Sequence, residues 1–340
     1  MNREELQSTA QALVAKSKGI VAADESDSTI ARRLESVNVD STEENRRAWR
    51  QLLITTKGSG DYISGIILFD ETIRQSTDSG QTFVDALKGE NIIPGIKVDK
   101  GAKPLANSSD ETVTEGLDGL RERLQEYYEL GARFTKWRAV ITIGDSIPTS
   151  YCIDVNAHAL GRFAALSQEA GLVPIVEPEV LMDGDHDINR CFEVTETTLQ
   201  RVFEELHSQS VFLGGMLLKP NMVLSGSSAS ERASSIDVAE HTIVCFQRTV
   251  PADMPGIVFL SGGQSDDEAT VNLNAINQRV DSDTPWELSF SYGRGLQATP
   301  LKIWSGDSSK VASAQQAYLH RAKVTSAARD GVYEAGMNES

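Results

Sequence analysis

The chain has 340 residues, 40% of them hydrophobic, enough for one large core and within the range of a single closed α/β barrel, about 250 residues or more with insertions. Its 32 basic residues stand against 49 acidic ones, and the net charge of −17 argues against nucleic acid or an anionic membrane as main partner. An anionic substrate would need a locally cationic pocket.

Residues 3–16 read as a helix, and residues 19–26 as a short buried strand that ends in acids. Ser41-Thr42-Glu43-Glu44 matches a capping box, with Trp49, Leu52 and Leu53 following at helical spacing. Strands are expected at 66–71 and 92–100. After a polar loop, Val113, Leu117, Leu120, Leu124 and Tyr127 predict a helix. A fourth strand covers 132–141, a helix 148–170, a fifth strand 172–179, and Leu199, Val202, Phe203 and Leu206 mark the next helix.

The run Gly214-Gly215-Met216-Leu217-Leu218-Lys219 reads as a sixth strand entering a core and ending on a cation. A Ser/Gly-rich mobile loop is expected at 225–235 and a helix near 238–249. The seventh strand spans 256–263, Ser265-Asp266-Asp267-Glu268 caps a helix, and the eighth strand spans 286–294. Eight buried strands alternating with helices predict the α/β class: one (β/α)8 TIM barrel domain over 1–340, with an additional N-terminal helix and a C-terminal helical tail. The cysteines Cys152, Cys191 and Cys245 are too scattered for a disulfide framework, which fits a reducing compartment. With no apolar signal segment and no run of ~18 apolar residues, a cytoplasmic protein is expected, or a plastid one if a transit peptide has been removed.

Charged residues follow the apolar runs: Asp24, Lys97, Lys136, Arg138, Glu177, Glu179, Lys219 and Arg294. Any one alone reads as an ion pair or a solvated loop residue. In a barrel, however, the carboxyl ends of all eight strands converge on one face, where active sites sit. The two-residue period of a strand puts Lys136 and Arg138 on one face with Trp137 opposite, and pairs Glu177 with Glu179.

A lysine attacks a carbonyl only as the free amine, and burial or an adjacent cation favours that form. Lys136 offers such a charge to Lys219. Glu177 can serve as the acid that expels water from the carbinolamine, and Asp24 as the base on a substrate hydroxyl. Those parts suffice for Schiff-base aldol chemistry. Ser261-Gly262-Gly263 and Ser291-Tyr292-Gly293-Arg294, after adjacent strands, are placed to bind phosphate through backbone N–H groups and a forked cation.

Two other motifs are set aside. Gly293-Arg294-Gly295-Leu296-Gln297-Ala298 imitates a dinucleotide fingerprint but lies too near the carboxyl end for the βαβ unit that must follow. Asp183-Gly184-Asp185-His186-Asp187 imitates a hard-metal cluster without the rest of a calcium loop, and reads as a solvated turn.

Seven blocks together resemble class I fructose-bisphosphate aldolase, in order and over nearly the whole chain. They are Ala22-Ala23-Asp24-Glu25-Ser26, Gly95-Ile96-Lys97-Val98-Asp99-Lys100-Gly101, Lys136-Trp137-Arg138, Ile175-Val176-Glu177-Pro178-Glu179, Leu217-Leu218-Lys219-Pro220-Asn221-Met222, Leu260-Ser261-Gly262-Gly263-Gln264-Ser265 and Ser291-Tyr292-Gly293-Arg294. The resemblance implies a homotetrameric enzyme, independent of metal and other cofactors, that reversibly cleaves fructose 1,6-bisphosphate to dihydroxyacetone phosphate and glyceraldehyde 3-phosphate. It implies Lys219 as the Schiff-base lysine, Glu177 as acid/base, Asp24 as base at the C4 hydroxyl and Lys136 as the cation between them. Glu179 is counted with these catalytic residues, and Arg33, Arg138, Ser261, Gly262, Gly263, Ser291, Gly293 and Arg294 fall on substrate- and phosphate-binding positions. Ser26, Thr29 and Lys97 fall near the other phosphate, and Thr29 replaces a usual serine.

The departure is at the end of the sequence, Gly336-Met337-Asn338-Glu339-Ser340, which lacks the terminal tyrosine that helps protonate the enamine in many members. Slower enamine proton exchange, or exchange through Glu177, is expected. Sedoheptulose 1,7-bisphosphate is the alternative substrate, and a scaffold role is a secondary possibility. A metal-dependent aldolase is disfavoured because the five histidines are scattered.

Overall fold

The computed structural model describes residues 2–338, so Glu339 and Ser340, with the end of the expected tail, lie outside the described residues. Its strands, in chain order, are β1 (Gly19–Ala22), β2 (Ile63–Leu68), β3 (Ile93–Lys97), β4 (Ala102–Pro104), β5 (Thr112–Thr114), β6 (Phe134–Ile141), β7 (Val173–Val180), β8 (Leu217–Leu218), β9 (Gly256–Phe259) and β10 (Glu287–Tyr292). Eight of them close into a parallel barrel in the order β1-β2-β3-β6-β7-β8-β9-β10, with β10 pairing back onto β1. β4 and β5 form a separate antiparallel hairpin on the rim. Strands covered on both faces need apolar side chains on both, which is why β1, β2, β8 and β9 are buried along their whole length.

The helix Arg3–Leu13 is the additional N-terminal element, and it plugs the amino end of the barrel. Leu6, Ala10, Leu13 and, just beyond the helix, Val14 pack with Ile20, Ile67, Phe134, Val173, Ile175, Leu217 and Val258 in a core separate from the larger one between barrel and outer helices. The last long helix, Val311–Arg329, holds the plug in place. Arg329 donates to Val14 O at 3.3 Å, Ser326 Oγ to Ser17 O at 2.5 Å, and Ser17 N to Asp330 Oδ1 at 3.2 Å.

Several boundaries differ from expectation for local reasons. The helix expected from Val113 begins only at Leu120, because residues 112–114 pair with β4 and the N-cap Gly119 takes a left-handed φ of 64° that a helix interior cannot contain. The cap of Glu43–Ile54 is Thr42, not Ser41: its hydroxyl accepts from Asn45 N at 3.1 Å, and no box closes. The sixth strand shrinks to Leu217–Leu218, with Gly214 and Gly215 in a 3-10 turn, although Lys219 N still donates to Val176 O at 2.8 Å. Arg294 opens a helix instead of ending β10. The loop expected to be mobile is pinned: the N–H groups of Gly226, Ser227 and Ser228 bond His186 O, Met182 O and Gly184 O at 2.7–2.8 Å.

Candidate active site

The carboxyl ends of the barrel strands open into a cleft of about 1370 Å³. Eleven lysines and arginines against eight carboxylates line it, so the wall is net cationic within a chain of net charge −17. That is the local pocket an anionic substrate requires.

Its floor carries one continuous chain of ion pairs. Lys136 Nζ lies 2.7 Å from Asp24 Oδ2 and 3.2 Å from Glu177 Oε2, and Glu177 Oε1 lies 3.1 Å from Lys219 Nζ. The four residues come from four strands or strand ends: Asp24 after β1, Lys136 in β6, Glu177 in β7 and Lys219 after β8. Their side chains are at most 10% exposed, so the charges act on one another through little water. The register pairs Arg138 with Glu177 and Val140 with Glu179, and the strand period aims Lys136, Arg138, Glu177 and Glu179 at the cleft. Trp137 points the other way and stacks on Phe163 with ring centroids 5.6 Å apart. Glu177 thus stands between the two lysines and touches both.

These contacts set the protonation states. Burial alone pushes Asp24 up, but Lys136 and Lys219 outweigh it and hold the carboxyl well below the ordinary carboxylate range. Glu177 follows the same balance, with burial overcome by Lys136, Lys219 and Arg138. Burial pulls Lys136 down, yet Asp24 and Glu177 more than reverse this and keep it cationic. A carboxylate depressed in the folded state binds fewer protons there than in the unfolded chain. The stability from Asp24 and Glu177 is therefore complete above their ordinary values of 3.8 and 4.5, and is lost as pH falls below them. Denaturant unfolding between pH 6 and 3 should show this loss in the wild type and a flatter profile in Asp24→Asn; parallel profiles would contradict the coupling.

Around the floor, two residues that sequence reasoning left without a role now have one. Glu25 pairs with Arg33 and, at 2.6 Å, with the buried Arg50, while Gln297 Nε2 donates to it at 3.1 Å; this fixes Arg33 against the cleft. Asp99 accepts from Lys97 Nζ at 2.5 Å, from Gly101 N at 3.1 Å and from Arg138 N at 3.2 Å. Its spacing of two from Lys97 was the available signal. Arg138 pairs with Glu179.

On one side of the cleft lie Ser26 and Thr29, their hydroxyls 3.2 Å apart, with Lys97 also in the wall. Elsewhere in the wall, Ser261, Gly262, Ser291, Gly293 and Arg294 come together. Ser291 Oγ is buried without a hydrogen-bond partner, and the helix Arg294–Trp304 begins with no side-chain cap, so both leave polar capacity for a ligand. A Cβ on Gly262 would lie 2.5 Å from Glu179 Oε1, so only glycine fits between that carboxylate and the cleft. Gly263, in contrast, is exposed and outside the cleft wall; with φ 78° it turns the loop away over Met182. Among the described residues no group of three or more histidine, cysteine or acidic side chains is arranged to hold a metal, the run 183–187 included.

The family model "Fructose-bisphosphate aldolase class-I" matches residues 5–340. The chain belongs to that family. It is an aldolase, a carbon–carbon lyase of the Schiff-base class. It is 58% identical over 335 residues to a probable fructose-bisphosphate aldolase class 1 of Xanthomonas campestris, covering 98% of this chain and 100% of the relative. It is 55% identical to the cytosolic fructose-bisphosphate aldolase 4 of Arabidopsis thaliana, covering 93% and 80%. A solved fructose-bisphosphate aldolase from Plasmodium falciparum, in complex with TRAP and a small molecule inhibitor, superposes with a TM-score of 0.96 at 49% identity, covering 98% and 96%.

Proposed function

We propose that the reversible cleavage of fructose 1,6-bisphosphate runs through an imine on Lys219, with Glu177, Asp24 and Lys136 as its proton-transfer set. The observation that carries this reading is the unbroken contact chain from Asp24 through Lys136 and Glu177 to Lys219. A proton passed from the Lys219 ammonium to Glu177, 3.1 Å away, leaves an amine and a carboxylic acid in contact. The amine adds to the C2 ketone, and Glu177 returns the proton to the carbinolamine hydroxyl, which departs as water. Asp24 takes the C4 hydroxyl proton as the C3–C4 bond breaks, and its electrons flow into the iminium to give an enamine and a free aldehyde. Protonation at C3 and hydrolysis release the second triose. Lys136 stays cationic and compensates the charge that moves between the carboxylates. The iminium is itself the electron sink, so the scheme calls on no metal.

Ser261, Gly262, Ser291, Gly293, Arg294 and Arg33 would hold one phosphate, with Gly263 shaping the loop behind them, and Ser26, Thr29 and Lys97 the other. Arg138 and Glu179 would orient the sugar. The whole chain would act as one domain and assemble as a homotetramer, and a cytoplasmic location is supported by the cytosolic relative. Borohydride reduction with dihydroxyacetone phosphate, followed by peptide mass spectrometry, should place the adduct on Lys219. An adduct elsewhere, or EDTA-sensitive cleavage with no adduct, would overturn the mechanism.

A further inference from the structure

Two loops form the proposed phosphate-binding wall, residues 261–265 after β9 and 291–294 after β10. They lead into the helices Asp266–Gln278 and Arg294–Trp304. At the cleft the loops are close: a Cβ on Gly295 would lie 3.6 Å from Ser261 Oγ. Behind them one guanidinium spans both. Arg321, on Val311–Arg329 and 6% exposed, donates Nε to Gly295 O at 3.4 Å and Nη2 to Asp266 O at 3.3 Å and Thr270 Oγ1 at 3.0 Å. Its Nη1 donates to Asn338 Oδ1 at 3.0 Å, and Asn338 Nδ2 donates in turn to Asp267 Oδ1 at 2.9 Å.

Among the described residues, no carboxylate lies within ion-pair distance of this buried cation. Carbonyls, a hydroxyl and an amide hold it, a costly way to bury charge that an apolar side chain would avoid if packing were its only duty. The carbonyls it grips belong to the first turns of the two helices that follow the loops. Fixing those turns fixes the separation of Ser261 from Arg294, and a displacement of about 1 Å at such a site costs heavily. We propose that Arg321 is a positioning residue for phosphate recognition, clamping the two loops from behind so that both reach one phosphate, with Asn338 steadying the clamp. The inference rests on the phosphate assignment above.

Arg321→Lys keeps the charge but cannot fork across acceptors on two helices. Inorganic phosphate binding to the full chain, measured by calorimetry, should weaken about tenfold in this variant. Borohydride trapping of unphosphorylated dihydroxyacetone should remain at the wild-type level. Unchanged phosphate affinity in a folded Arg321→Lys, or equal losses of phosphate binding and trapping, would overturn the proposal. If Arg321→Lys does not fold, Asn338→Ala decides: a selective two- to threefold weakening of phosphate supports the clamp, and none refutes it. Failure of the wild type to be trapped would count against the Lys219 assignment alone, because phosphate binding is read without it.

Discussion

Lys219→Met should abolish cleavage, with kcat falling on the order of 10⁵-fold, because the residue supplies the covalent step and not merely affinity. Methionine nearly matches the lysine stem in volume, and Lys136 still pairs with Glu177 at 3.2 Å, so the barrel should fold and the phosphate-binding wall should survive. Bisphosphate binding by calorimetry should therefore change little while turnover and borohydride adduct vanish together. Retained turnover with an adduct on another lysine would move the nucleophile elsewhere. Loss of binding alongside turnover would mean that Lys219 holds the site together instead of reacting.

Lys136→Met should damage both stability and chemistry. It leaves Asp24 without its 2.7 Å partner and Glu177 with Lys219 as its one close cation, and breaking a buried pair by removing one member costs about 3–5 kcal/mol. Both carboxyl pKa values should rise, since Lys136 is the largest influence opposing burial at each. The acid limb of the pH–rate profile should move to higher pH, and kcat should drop by about 10²–10⁴-fold. A variant with wild-type unfolding midpoint and an unmoved acid limb would show that Lys136 is a bystander.

The barrel and the residues of its floor were legible because both follow from short-range rules. Apolar runs ending in charge mark parallel strands, and a period of two assigns Lys136, Arg138, Glu177 and Glu179 to one face. Where reasoning failed, a distant partner had overridden a local pattern. Val113 and Leu117 carry helical spacing, yet Thr114 is taken by Asn156 and by Arg138 O, contacts 42 and 24 residues away in sequence. Glu25 and Asp99 carry no role that the sequence pattern alone reveals. Their duty is to hold Arg33, Lys97 and the Arg138 backbone in place, and such support shows only when the partners are in space. Arg321 was invisible for the same reason.

The plug at the amino end of the barrel sets a problem of timing. Arg3–Leu13 is synthesised before any strand of the barrel, but its seat is finished only when β10 pairs with β1 and Arg329 reaches Val14 O. At roughly 5–20 residues per second, that completion trails by about 15–60 s. Throughout that interval the apolar stripe of Leu6, Ala10 and Leu13 lacks its complete seat, and the polar outer face of the same helix is what keeps so early a segment soluble while it waits.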